Sequence, residues 1–204
     1  MTDDHSRESI RARLTASLHP LASGLSGLPR GGHRAPHREA QRAAAVLVPV
    51  LTGSDHEVLL TVRSDRLSQH PGQVAFPGGR REDQDRHVVD TALREAHEET
   101  GLLRDRVDPL GFLDRYDTIT GYRMTAVVGW VADPNPLEPD GREIAELFTV
   151  PLEHVADPDR YRCDRVRHAG KTFEILTLEH PEYRIWGATA AILADLGRRL
   201  RGEN

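Results

Sequence analysis

Glu95, Glu98 and Glu99 are the residues whose type and spacing first suggest chemistry. On a helix turning about 100° per residue, residues four apart stand one above the other, and residues three apart lie beside them. The three carboxylates are therefore expected on one stripe. Like charges at that spacing repel, so the arrangement asks for compensation. A hard divalent cation, Mg²⁺ or Mn²⁺, takes carboxylate oxygens and removes the repulsion. Such an ion neutralises phosphate oxygens and activates water for attack on phosphorus. Arg94 adjoins the cluster and can pair with one carboxylate. Gly78 and Gly79 lie upstream, and their bare backbone can approach closely enough to offer a carbonyl ligand. A solvated acidic face would explain two glutamates. Three, with Arg94, set between Phe76-Pro77-Gly78-Gly79 and Gly101, favour a functional site.

The elements that must position these groups follow from periodicity and punctuation. Val88 to Thr100 reads as a helix with Val89, Ala92, Leu93, Ala96 and Thr100 on its core side, and Gly101 stops it. Ala43 to Leu51 is a continuous apolar run, as in a strand buried on both faces. Glu57 to Arg63 forms a hairpin with it across the turn at Gly53. Residues 64–87 make a long loop, and long loops in compact domains are often functional. Residues 107–116 and 122–132 read as strands about the Thr120-Gly121 turn, and 133–141, with three prolines, as a loop. Glu143 to Phe148 is ambiguous between helix and strand; Lys171 to Glu179 alternates like a strand; Gly187 to Arg201 is a closing amphipathic helix. At the start, residues 6–18 carry a weak helical pattern, and 19–38 read as an extended arm. His33, Arg34, His37 and Arg38 in that arm could meet a phosphate, although solvation is the commoner fate of clustered loop charge. The mixture predicts an α+β fold, with an N-terminal helix and arm over 1–42 and the main domain over 43–204.

Arg94-Glu95-Ala96-His97-Glu98-Glu99-Thr100-Gly101-Leu102 resembles the second half of the Nudix box, G-x5-E-x7-R-E-U-x-E-E-x-G-U with U apolar, at every fixed position. Asp85 stands where the first glutamate of the box is expected from Gly79, and eight residues rather than seven separate it from Arg94. Upstream, Leu59-Leu60-Thr61-Val62-Arg63-Ser64, Gly72 and Phe76-Pro77-Gly78-Gly79 are similar to the extra motif of the coenzyme A diphosphatase branch, with Ser68 in place of its second arginine. The resemblance implies an α/β/α Nudix sandwich around a mixed sheet. It implies hydrolysis of coenzyme A to 3′,5′-ADP and 4′-phosphopantetheine. It implies metal held by Glu95, Glu98, Glu99 and the Gly79 carbonyl, Arg94 orienting the glutamates, and Glu98 as general base. Arg63, Ser64 and Gly78 are the substrate-binding candidates. A guanidinium fork suits phosphate oxygens, while a surface salt bridge is the other reading of Arg63. Tyr122 and Phe76 could stack on adenine, Glu143 and Glu146 could add a carboxylate, and Trp186 reads as packing beside the last helix. Cleavage of another nucleoside diphosphate derivative, ADP-ribose or NADH, is the competing expectation. A non-catalytic nucleotide-binding regulator fits less well, since a pure binder has no need of three clustered carboxylates.

The chain has 27 Lys+Arg against 32 Asp+Glu, which argues against a general nucleic-acid binder, since such proteins neutralise phosphate with positive charge. The one cysteine, Cys163, can form no internal disulfide. No apolar run reaches the length of a membrane span, and the first residues lack a secretory pattern, so a cytoplasmic protein with no membrane partner is expected. The oligomeric state stays open, a homodimer included.

Overall fold

The run Ala43 to Leu51 lies in the long strand β2 (Arg42–Thr52) at the centre of a mixed sheet. A computed structural model describes residues 2–25, 28–32, 42–53 and 55–203. In chain order the remaining elements are α1 (Thr2–Ser17), β1 (Arg30–Gly32), β3 (His56–Arg63), β4 (Val74–Ala75), β5 (Gly78–Arg80), α2 (Val88–Thr100), β6 (Asp108–Phe112), β7 (Arg115–Asp117), β8 (Tyr122–Val131), β9 (Ile144–Pro151), α3 (Leu152–Ala156), β10 (Tyr161–His168), β11 (Lys171–Leu178), β12 (Ile185–Trp186) and α4 (Gly187–Leu200). β2 pairs in parallel with β8 and antiparallel with β3 and β5, while β9 extends the sheet beyond β3. A second, small antiparallel sheet holds β10, β11 and β12.

Strand alternation explains the layers. Val46, Val48 and Val50 of β2 join Ala126, Val128 and Trp130 of β8 in a core that contains Leu14 and Leu18 near α1 and Leu193, Leu196 and Leu200 of α4. The opposite side chains, Ala45 and Leu47 with Val127 and Val131, pack against Ala92 and Ala96 of α2 and against Leu28. The sheet is thus covered by helices on both faces, an α/β/α sandwich of the α+β class, and this is why β2 is apolar throughout rather than alternating.

Several expectations are refined. The 107–116 strand is two, β6 and β7, both antiparallel to β8. Glu143 to Phe148 is resolved as strand, because β9 supplies the outer partner of β3. The arm contains β1, which pairs in parallel with β7. The 64–87 loop contains the short strands β4 and β5. The strand β10 and the helix α3 carry no clear periodic signal and were not anticipated.

Candidate active site

α2 begins where Asp90 accepts a hydrogen bond from the His87 backbone N–H at 3.0 Å, and ends where Gly101 adopts φ 72° and donates to the His97 carbonyl. Its apolar side is pinned to the sheet, which turns Glu95 and Glu99 toward β5. Gly78 lies so close to β2 that a Cβ there would come 2.6 Å from Val46 Cα, and its φ of 155° suits glycine alone. A Cβ on Gly79 would come 2.5 Å from Glu95 Cδ. The Gly78 N–H donates to Glu99 Oε2 at 2.9 Å. The two glycines therefore bring bare backbone against the carboxylates.

Arg94 is buried behind the glutamates and has four hydrogen-bond partners. Its Nε and Nη2 donate to Asp85 Oδ1 and Oδ2, each at 3.1 Å; Nη1 donates to Glu98 Oε2 at 3.0 Å; Nη2 also reaches Glu95 Oε1 at 3.1 Å and the Arg80 carbonyl at 3.0 Å. Asp85 is buried too, and takes further bonds from Thr91 Oγ1 and the Glu82 N–H. Its hydrogen bonds from Arg94 hold its carboxyl below the usual carboxylate range despite burial, and Asp85 in turn raises Arg94. Asp85 thus stands behind Arg94, away from the cleft lining.

A cleft of about 600 Å³ opens in front of Glu95 and Glu99. Its wall includes Arg63, Gly78, Gly79, Arg80, Tyr122 and Trp186. Burial pushes the Glu99 carboxyl up to about 8, with the Glu95 charge adding to the shift and the Gly78 N–H opposing it. Burial also raises Glu95, against the pull of Arg94. Two desolvated carboxylates, the Glu95 charge disfavouring that of Glu99, offer hard oxygens of the kind a divalent cation takes. The described residues contain no preformed group of three acidic or His/Cys ligands.

The predicted residues are distributed unevenly. Glu95, Glu99, Gly78, Gly79 and Arg63 meet at the cleft. Glu98 does not: its side chain is 55% exposed and paired with Arg94. Ser64 is buried and accepts a bond from the Arg66 N–H at 3.3 Å, so it does not reach the wall. Arg63 lies 3.7 Å from Glu143, and its buried Nε has no hydrogen-bond partner among the described residues. Phe76 is 3% exposed and belongs to the core. Trp186, expected as packing, lines the cleft with Tyr116 and Met124, none of which sequence reasoning placed there. The arm residues His33, Arg34, His37 and Arg38 lie outside the described residues. A second cleft of about 550 Å³, at His154, His180 and Tyr183, contains none of the α2 carboxylates. No helix among the described residues is long and apolar enough to cross a membrane.

Residues 41–167 match the family model of the NUDIX domain. The chain is 38% identical over 160 residues to the protein called uncharacterized Nudix hydrolase NudL of Pectobacterium atrosepticum, covering 78% of this chain and 83% of that one. It is 38% identical over 157 residues to the protein of the same name from Yersinia enterocolitica, covering 77% and 80%. Among solved structures, a Nudix hydrolase from M. smegmatis, RenU, superimposes with a TM-score of 0.46 at 30% identity over 57% of this chain and 74% of that one.

Proposed function

The chain belongs to the Nudix hydrolase family, and from that premise we propose that it hydrolyses the diphosphate of coenzyme A to 3′,5′-ADP and 4′-phosphopantetheine. The observation that carries this reading is the joining, in one cleft, of the α2 carboxylates Glu95 and Glu99 with Arg63 and Gly78 from the Leu59–Gly79 segment. The carboxylates set the reaction type, and that segment, by its resemblance, suggests the substrate.

Glu95, Glu99, Glu98 and the Gly79 carbonyl would hold Mg²⁺ or Mn²⁺. When bound, the ion neutralises phosphate oxygens and lowers the pKa of water. Arg63 donates to a non-bridging phosphate oxygen, for which its place on the cleft wall suits it. Glu98, the most accessible carboxylate of the three, is held by Arg94 through Oε2 and accepts the proton of the attacking water on its other oxygen. The water oxygen bonds to one phosphorus, and the bridging oxygen leaves with the other. Arg94, fixed by Asp85, keeps Glu95 and Glu98 in position.

The test supplies purified protein with coenzyme A and Mg²⁺ and identifies the products by mass. Formation of 3′,5′-ADP and 4′-phosphopantetheine is expected, with Glu98→Gln and Glu99→Gln strongly impaired. Intact coenzyme A alongside cleaved ADP-ribose or NADH would sink the substrate assignment. Equal activity in wild type and both variants would sink the site. The observation favouring that second substrate class is Ser68, exposed where the coenzyme A motif has arginine.

A further inference from the structure

Tyr122 in the cleft wall has two guanidinium groups against it. Arg80 Nη2 donates to the Tyr122 hydroxyl at 2.8 Å, and the Arg80 guanidinium carbon lies 5.6 Å from the ring centroid. The Arg42 guanidinium carbon lies 4.6 Å from the same centroid. The β2–β8 register sets Arg42 directly opposite Tyr122, so the sheet itself holds this pair together. Both arginines are exposed, and among the described residues neither has an acidic partner. Arg123 and Arg94, by contrast, are paired with Asp117 and Asp85. Two cations gathered at one ring without a carboxylate repel each other, and an anion relieves that repulsion.

The position relative to the reaction matters as much as the charge. Arg80 follows Gly79 in β5, so its Cα is only about 3.8 Å from that of the proposed carbonyl ligand. The Arg80 carbonyl is held by Arg94, which fixes where its side chain departs. Arg80 and Tyr122 share the cleft wall with Glu95 and Glu99. A substrate with its diphosphate at the glutamates can therefore extend along the wall to a second anionic group.

We infer that Arg80, with Arg42 and Tyr122, forms a subsite for a phosphomonoester on the nucleoside half of the substrate, and that it selects nucleoside diphosphate esters carrying such a group over those lacking it. The inference rests on the coenzyme A reading for the identity of that group as the 3′-phosphate. A ribose phosphate is close to dianionic at neutral pH and accepts charge-assisted bonds from guanidinium groups, while the nucleobase has an aromatic face for Tyr122.

The test has a turnover arm and a binding arm, run on wild type, Arg80→Gln and Arg42→Gln. In the first, kcat/KM is measured for coenzyme A and 3′-dephospho-coenzyme A with Mg²⁺. In the second, calorimetry compares 3′,5′-ADP with 5′-AMP. Wild type should favour the 3′-phosphorylated compound by ~10-fold or more in both arms, carried mainly by KM, and Arg80→Gln should bring both ratios close to one. Arg42→Gln should lower them by a smaller factor. Equal handling of the two compounds by wild type, or a preference that survives both substitutions, overturns the subsite. If coenzyme A is not cleaved but the Arg80-dependent preference for 3′,5′-ADP remains, the subsite stands and the coenzyme A reading falls.

Discussion

Arg94 and Asp85 form a two-point pair, Nε to Oδ1 and Nη2 to Oδ2, both at 3.1 Å, with both side chains buried. Nine positions apart in sequence, they fasten the loop before α2 to the back of the glutamate cluster. The aspartate is one carbon shorter than the glutamate of the Nudix box, and the loop ahead of Arg94 is one residue longer. The two departures occur together, and the extra residue accompanies a short acid that still meets the guanidinium squarely.

Asp85→Asn should therefore damage both stability and catalysis. It leaves the buried Arg94 guanidinium without its two-point partner, and breaking a buried ion pair costs about 3–5 kcal/mol. Loss of the fixed Arg94 should lower kcat by ~10–100-fold, the usual scale for a partner behind metal ligands. Denaturant melts and steady-state kinetics check the two effects. The pH dependence has a definite sign. The folded-state value of Asp85 is depressed, so its contribution is fully present above its unfolded value near 3.8 and is lost as pH falls toward the folded one. Wild type should lose melting temperature more steeply below pH 4 than the variant does. Parallel curves would contradict the role given to this pair.

Glu99 has the opposite sign. Its folded value is raised from 4.5 to about 8, so without metal its protonated form stabilises the fold below pH 4.5, and that contribution is lost as pH rises through 8. Cation binding needs the carboxylate ionised. Mg²⁺ affinity should therefore climb between pH 6 and 8, and binding at pH 7 should release a proton. Calorimetry in buffers of different ionisation enthalpy measures that proton. Glu99→Gln should abolish its release and weaken Mg²⁺ binding by at least ~10-fold. Proton-neutral binding in wild type would remove Glu99 from the ligand set.

Gly78 and Gly79 are adjacent yet should fail differently. A Cβ on Gly78 meets the β2 backbone at Val46 Cα, so Gly78→Ala should destabilise the fold by roughly 2 kcal/mol or more through strain and overpacking. A Cβ on Gly79 meets the far end of Glu95, which can swing aside. Gly79→Ala should keep most of its melting temperature and lose Mg²⁺ affinity and activity. Paired melts and metal titrations separate the two, and equal loss of stability in both would count against the assignment.

Much of this architecture is legible in the sequence because local signals agree with the final packing. α2 matches its predicted span, since its apolar period and Gly101 point to the same limits. β2 and β3 form the expected hairpin. Glu95 and Glu99 reach the cleft together because residues four apart on a helix share a side. Glu98 departs from the shared stripe because Arg94, also four residues away, captures it. β10 is hard to read because its Arg- and His-rich residues pair with β11 while remaining largely exposed, so no apolar face marks them. Trp186 and Tyr116 reach the cleft from strands far apart in sequence, a juxtaposition with no local signature.

The N-terminal segment gives the last prediction. Leu14 is fully buried in the same core as Leu193 and Leu196 of α4. His19 exchanges backbone hydrogen bonds with Phe112, and its ring Nε2 lies 2.8 Å from Asp114 Oδ1. Arg199 of α4 ties this junction together: it donates to Asp114 Oδ1 at 2.6 Å, to Asp195 Oδ1 at 3.3 Å and to the Ser17 carbonyl. These contacts cross from residues 14–19 into the main domain, so that part of the N-terminal segment should behave as part of one cooperative unit. Leu14→Ala should cost about 2–5 kcal/mol, the range for a leucine removed from a closed core. Arg199→Met should cost about 1–3 kcal/mol, because it removes the donor that joins Asp114, Asp195 and the Ser17 carbonyl, while Arg198 and the Asp114 N–H still hold Asp195. Each variant should melt in a single transition, at lower temperature than wild type, when followed both by far-ultraviolet dichroism and by tryptophan fluorescence from Trp130 and Trp186. A separate early transition in Leu14→Ala, with the fluorescence of the remainder unmoved, would mean that the N-terminal segment is an independent appendage.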